Sequence, residues 1–180
     1  MCGIFGMISN ENLHINLFIS ILEQLEHRGK DSYGITFITH NNEIERIKSI
    51  EKIQKYSSKN YNNIKLGITH NRYSTTKNKS PQAFLDEIQP LQFKNNFIEF
   101  DLIHNGNIAN IHKYISYDNN LSDTQNIITF FNNATSTTFE SLLIDFINTI
   151  HCSYNIIILF QNSLYVLRDR YGYKPLFLGT

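Results

Sequence analysis

The sequence predicts an α+β domain with strands at both ends of the chain and helices between them. Three observations point there. The N-terminus holds a short apolar run, Gly3 to Ser9. Several later stretches repeat apolar residues at helical spacing. The C-terminal part holds two apolar runs separated by the polar residues Gln161-Asn162-Ser163.

Taken in order, Gly3 to Ser9 reads as a buried strand because it is short, apolar and ends in Ser-Asn. Leu17, Phe18, Ile21, Leu22 and Leu25 share one face, which predicts a helix from about His14 to Glu26. His27-Arg28-Gly29 stops it, since glycine just past a helix end is a common terminator. Tyr33 to Thr39 and Glu43 to Lys48 predict a hairpin around Asn41-Asn42. Ile64 to His70 predicts another strand. Arg72 to Pro90 is rich in Ser, Thr, Lys and Asn with little apolar periodicity, and reads as irregular. Phe97 to Ile103 alternates and predicts a strand.

A weak helical pattern runs from Ile108 to Tyr117. Ser122 stands three residues before Gln125, a capping-box spacing that predicts a helix over Ser122 to Asn132. Thr137 and Glu140 repeat that spacing ahead of Leu142, Leu143, Phe146, Ile147 and Ile150. Strands are expected at Tyr154 to Phe160, Leu164 to Arg168 and Pro175 to Leu178.

The 180 residues, 41% apolar and 18% charged, suit one globular domain with a sizeable core. The formal net charge is zero, and no polybasic run argues for nucleic acid or a membrane surface. No apolar stretch approaches the roughly 20 residues that span a bilayer. No positive segment followed by a long apolar run marks a signal peptide. The two cysteines, Cys2 and Cys152, point to a reducing, cytoplasmic setting, with Cys152 read as core. No Cys-x-x-Cys or His-x-x-x-His pair offers zinc ligands, and no cofactor motif is present.

The chain opens Met1-Cys2-Gly3-Ile4-Phe5-Gly6. Removal of Met1 would give one residue both a thiol nucleophile and a free α-amine. An α-amine has a reference pKa of about 7.7–8.0, so it can act as a built-in base. Further candidate segments are His27-Arg28-Gly29-Lys30-Asp31-Ser32, His70-Asn71-Arg72-Tyr73-Ser74-Thr75, His104-Asn105-Gly106-Asn107 and Ser122-Asp123-Thr124. Each has an ordinary structural explanation. Asn105-Gly106 is a turn dipeptide, though a helical pattern follows it where a hairpin needs a strand. Asp123 is a first-turn acid favoured by the helix dipole. His27, His70 and His104 read first as half-buried structural histidines.

Six segments in this order resemble the class II glutamine amidotransferases, whose glutaminase domain uses an N-terminal cysteine. They are the Met1–Gly6 opening; His27-Arg28-Gly29 with Asp31-Ser32 and Gly34; Arg72-Tyr73-Ser74-Thr75; His104-Asn105-Gly106; Ser122-Asp123-Thr124; and Arg168-Asp169 with Gly172 and Pro175-Leu176. The wording at His27, Tyr73 and Pro175-Leu176 is most similar to the amidophosphoribosyltransferase type. The resemblance implies a four-layer αββα sandwich of two mostly antiparallel sheets, here short of C-terminal strands.

It also implies that Cys2 attacks the side-chain amide of L-glutamine, with Asn105 and Gly106 as the oxyanion hole. Arg72 would hold the α-carboxylate with help from Tyr73 and Thr75, and Asp123 the α-ammonium. Arg28 and Gly29 would belong to the substrate-binding residues as well. The ammonia would pass to a synthase domain or subunit in another chain, of the amidophosphoribosyltransferase type or similar to glucosamine-6-phosphate or asparagine synthetases. A homo-oligomer fits the family as well.

Lys77, Tyr33 and Gln125 depart from the usual family wording, and the chain stops at Gly179-Thr180, before any acceptor domain. Two rival readings follow. One is a non-catalytic remnant that binds glutamine or a partner synthase. The other is a papain-like hydrolase with His70 or His104 as base.

Overall fold

The structure is a computed structural model that describes residues 2–50, 61–73, 80–109, 113, 118 and 120–180. Two four-stranded antiparallel sheets form within it. The first has β1 (Gly3–Leu13), β2 (Ser32–Thr39), β3 (Ile44–Ser49) and β4 (Ile64–Arg72) in the order β1-β4-β2-β3. The second has β5 (Leu91–Lys94), β6 (Glu99–Asn107), β7 (Ser153–Phe160) and β8 (Ser163–Arg168) in sequence order.

Side-chain alternation sorts each strand onto two faces. Ile4, Ile38, Leu66, Ile68, Ile103, Ile157 and Leu159 interdigitate between the sheets. The outer face of the first sheet carries Phe37 and Ile35 against Phe18 and Leu22 of α1 (Ile15–Gln24). The outer face of the second packs Phe93, Phe100 and Tyr154 against α3 (Asp123–Asn133) and α4 (Phe139–Thr149). Phe100 meets Phe131 and Phe139 edge-on at centroid distances of 5.4 and 5.6 Å, within the favourable range for aromatic pairs. The layers are therefore helix, sheet, sheet, helix, as expected. A bidentate ion pair from Arg46 of β3 to buried Asp101 of β6, at 2.9 and 2.8 Å, also joins the sheets.

Most expected elements are present with shifted ends. The first strand runs on to Leu13, and His14 caps α1 by accepting from the Asn16 N–H. The expected helix ends early, because Leu25–Arg28 tightens into a 3₁₀ turn. Ser122 and Gln125 form the expected capping box. The next one uses Thr138 and Ser141, one residue beyond Thr137 and Glu140; this register buries Phe139. The stretch read as irregular contains α2 (Pro81–Asp86), with Ser80 as its cap and Pro81 in its first turn. Pro175 to Leu178 is not a strand. Phe177 and Leu178 are exposed, and the second sheet ends at β8 among the described residues. The weak helix at Ile108–Tyr117 lies largely outside the described residues.

Candidate active site

Register decides which candidate side chains share a space. In β4, Leu66 and Ile68 point between the sheets, so His70 and Arg72 do too. Gly3 of β1 pairs with Asn71 and Ile4 with His70. Ile4 faces inward, and by the same alternation so does Cys2, level with Arg72. Across the gap, Ile103 of β6 faces inward, and therefore so does Asn105. β1 and β4 both lie against β6. The fold thus gathers Cys2, Arg72 and Asn105 at one end of the inter-sheet layer. Arg72 and Asn105 are each 7% exposed, while Cys2 is only partly buried and free.

The neighbouring glycines are set by close approach. A Cβ on Gly29 would stand 2.4 Å from the Arg72 carbonyl, and the Asp31 N–H donates to that same carbonyl at 3.1 Å. Asn71 donates to Leu22 O at 2.9 Å and lies within reach of Gly29 O. Gly29 and Asp31 therefore support the Arg72 backbone, and Arg28 ends the preceding 3₁₀ turn, half-buried. Gly106 packs so tightly that a Cβ would meet His104 Nε2 and Ser153 O, each at 2.4 Å.

Asn105-Gly106 is no turn; both residues lie in β6. Gly106 sits opposite Tyr154, and the Tyr154 carbonyl accepts from Asp169 on the far, β8 side. In an antiparallel ladder that makes Gly106 and Tyr154 a non-hydrogen-bonded pair. The Gly106 N–H accordingly points toward the β5 side of β6. There β5 has already ended, at Leu91 opposite Leu102. A backbone donor aimed beyond the end of a strand, beside an inward asparagine amide, is the pattern an oxyanion hole needs.

The two residues expected to hold the ends of the substrate are engaged inside the protein. The Arg72 guanidinium donates to the Glu87 carboxylate and lies 4.8 Å over the Phe84 ring. Asp123 accepts the Ile108 N–H through Oδ2 at 3.0 Å, at the start of α3. Tyr73 is 56% exposed, and Thr75 lies outside the described residues.

The histidines divide. His27 is exposed, its Nδ1 2.9 Å from Gln24 O. His70 and His104 are fully buried. Burial, with His104 nearby, pushes the His70 pKa down to about 3. Burial and the Lys174 charge push His104 to about 3 as well. Both are neutral at physiological pH, and His104 faces α3, where its Nδ1 lies 3.2 Å from Thr124 Oγ1. His104 thus faces away from the inter-sheet space of Cys2, whereas His70 shares that space. Cys152 packs at the edge of the helix-side core, donates to Ala109 O at 3.1 Å, and burial raises its pKa. Among the described residues no cluster of His, Cys, Asp and Glu could hold a metal ion.

Sequence reasoning missed Glu87 and Gln89. They lie in the stretch read as irregular, where only packing shows their roles.

Two facing antiparallel sheets under helical layers, with this constellation at one end, fit the class II glutamine amidotransferase domain. The chain is similar over 99% of its length to curated amidophosphoribosyltransferases. Identity is 28% with that of Methanocaldococcus jannaschii, of which the chain covers 40%. It is 28% with that of Staphylococcus aureus (37% covered) and 24% with a chloroplastic one of Arabidopsis thaliana (32% covered). The chain therefore spans less than half the length of these relatives. No protein-family model matches it.

Two solved structures share the fold over 96% of this chain and 38% of theirs, at 22% identity. One is the glutamine phosphoribosylpyrophosphate amidotransferase of B. subtilis (TM-score 0.73). The other is described as the allosteric regulatory enzyme of purine biosynthesis (TM-score 0.76). Among the described residues no helix is long and apolar enough to cross a membrane.

Proposed function

We propose that this chain is the glutaminase part of an amidophosphoribosyltransferase-type enzyme, hydrolysing L-glutamine and delivering ammonia to an acceptor domain or subunit. The observation that carries this reading is the convergence of Cys2, Arg72 and Asn105 in one inter-sheet space, with the Gly106 N–H aimed past the end of β5. Similarity to amidophosphoribosyltransferases over 99% of the chain supports the acceptor type. Purine synthesis is then the pathway, and the cytoplasm, where thiols stay reduced, suits the cysteine usage.

After Met1 is removed, the Cys2 amine takes the thiol proton and Sγ attacks the δ-carbon of glutamine. The C–S bond forms and the carbonyl becomes an oxyanion, held by the Asn105 amide and the Gly106 N–H. Collapse breaks the C–N bond, and the Cys2 ammonium returns its proton to the leaving ammonia. Water then hydrolyses the γ-glutamyl thioester. Arg72 binds the α-carboxylate through donors left over from Glu87, because a guanidinium carries five. Asp123 takes the α-ammonium on the carboxylate oxygen not bonded to Ile108. No side-chain base is required, in keeping with the low pKa values that burial gives His70 and His104.

The test is glutamate release from glutamine by Met-trimmed protein and by Cys2→Ala. Release that vanishes in Cys2→Ala is expected, and release at an unchanged rate would sink the reading. An uncleavable N-terminal extension should also abolish it. Activity surviving the extension would point to a side-chain base.

A further inference from the structure

Between α2 and β5 runs the short segment Glu87-Ile88-Gln89, and both of its polar side chains are buried. Glu87 receives the Arg72 guanidinium. Gln89 bridges two other elements: its Oε1 accepts the His104 N–H of β6 at 2.6 Å, and its Nε2 donates to Thr124 Oγ1 of α3 at 2.8 Å. Thr124 in turn lies 3.2 Å from His104 Nδ1. One three-residue segment therefore touches the strand of Arg72, the strand of Asn105-Gly106 and the helix of Asp123.

We propose that Glu87 and Gln89 are positioning residues of the glutamine site, Glu87 for the α-carboxylate clamp and Gln89 for the oxyanion hole. This deepens the glutaminase reading and rests on it.

Glu87 acts as a fixed support. Its side chain is 2% exposed, and Ile88 beside it is fully buried. A Cβ on Gly34 would stand 1.9 Å from the Gln89 carbonyl, so the segment is packed hard against β2. A carboxylate that swung out of Arg72's way would have no water to enter. It stays, neutralises one edge of the guanidinium and aims the rest.

Gln89 ends a ladder. His104 N–H and Gly106 N–H point to the same side of β6, two residues apart. Were β5 to continue backward as a regular strand, backbone carbonyls would take both. Instead the Gln89 side chain takes the first, and the chain turns away toward Glu87. The Gly106 N–H is left aimed at substrate.

The experiment compares Glu87→Gln and Gln89→Met with wild type on two substrates, L-glutamine and its α-carboxamide analogue, which lacks the negative end. For Glu87→Gln, KM for glutamine should rise about tenfold, as expected of lost orientation. kcat should change less than twofold, and kcat/KM for the analogue should hold, so discrimination between the substrates falls. For Gln89→Met, kcat should fall about tenfold or more on both substrates, with discrimination kept.

Equal losses on both substrates in Glu87→Gln, or a lowered KM for glutamine, would overturn the assignment of Glu87. An unchanged kcat in Gln89→Met would overturn that of Gln89. If Glu87→Gln does not fold, Glu87→Asp, which keeps charge but shortens reach, should show the same loss of discrimination to a smaller degree. A wild-type protein that does not hydrolyse glutamine at all refutes the glutaminase reading itself, a result distinct from either failure.

Discussion

Acidification should destabilise this protein well above the range where carboxylates titrate, because His70 and His104 are buried neutral. Each has its pKa pushed from about 6.5 in the unfolded chain to about 3 in the folded one. The folded value is the lower. Stability is therefore full above pH 6.5 and is lost as pH falls through the window from 6.5 to 3. In that window each histidine contributes a slope approaching 1.4 kcal/mol per pH unit. Between pH 7 and pH 5 the loss is about 2 kcal/mol per histidine, or about 4 kcal/mol for the pair. That is a large part of the 5–15 kcal/mol typical of a folded domain. Urea unfolding followed by circular dichroism at pH 7, 6 and 5 measures it. His104→Gln should remove about half of the pH dependence. Equal stability at pH 7 and pH 5, or a slope untouched by His104→Gln, would refute the burial argument.

Other perturbations should separate the site from the core. Gly106→Ala must place its methyl against Ser153 O and the Tyr154 backbone, which cannot move without breaking the β6–β7 ladder. Thermal melting should show destabilisation, and glutamine hydrolysis should fall at least about a hundredfold. Phe131→Ala empties the centre of the aromatic cluster with Phe93, Phe100 and Phe146 and should cost about 3–5 kcal/mol in urea unfolding, without selective loss of substrate binding. Asp123→Asn should raise KM for glutamine while leaving the Ile108 hydrogen bond satisfied, so its melting temperature should stay close to wild type.

Much of this arrangement is legible in the sequence where local chemistry decides it. The Ser122 and Gln125 box, the β2–β3 hairpin and the apolar strands β7 and β8 follow from short-range pattern. The capping spacing before α4 occurs twice, one residue apart, and the burial of Phe139 selects between them. Ser80-Pro81 carried a helix start that the surrounding polar residues obscured.

Other features have no local signal. Asn105-Gly106 has the local sequence of a turn, and only its pairing with Asn155 and Tyr154 makes it a strand. The roles of Glu87 and Gln89 depend on three elements meeting in space, so a single-sequence pattern cannot show them. Pro175 to Leu178 has strand-like residues, but a strand also needs a neighbour, and none pairs with it among the described residues.

The central claim is that a Met-trimmed Cys2 is the nucleophile that opens the glutamine amide. Reaction with a diazoketone analogue of glutamine, followed by intact mass and peptide mapping, tests it most directly. One covalent adduct should form, located on an N-terminal Cys2, blocked by excess glutamine and absent from protein carrying an uncleavable N-terminal extension. Adducts on Cys152, or none at all while glutamine is still being hydrolysed, would contradict the account.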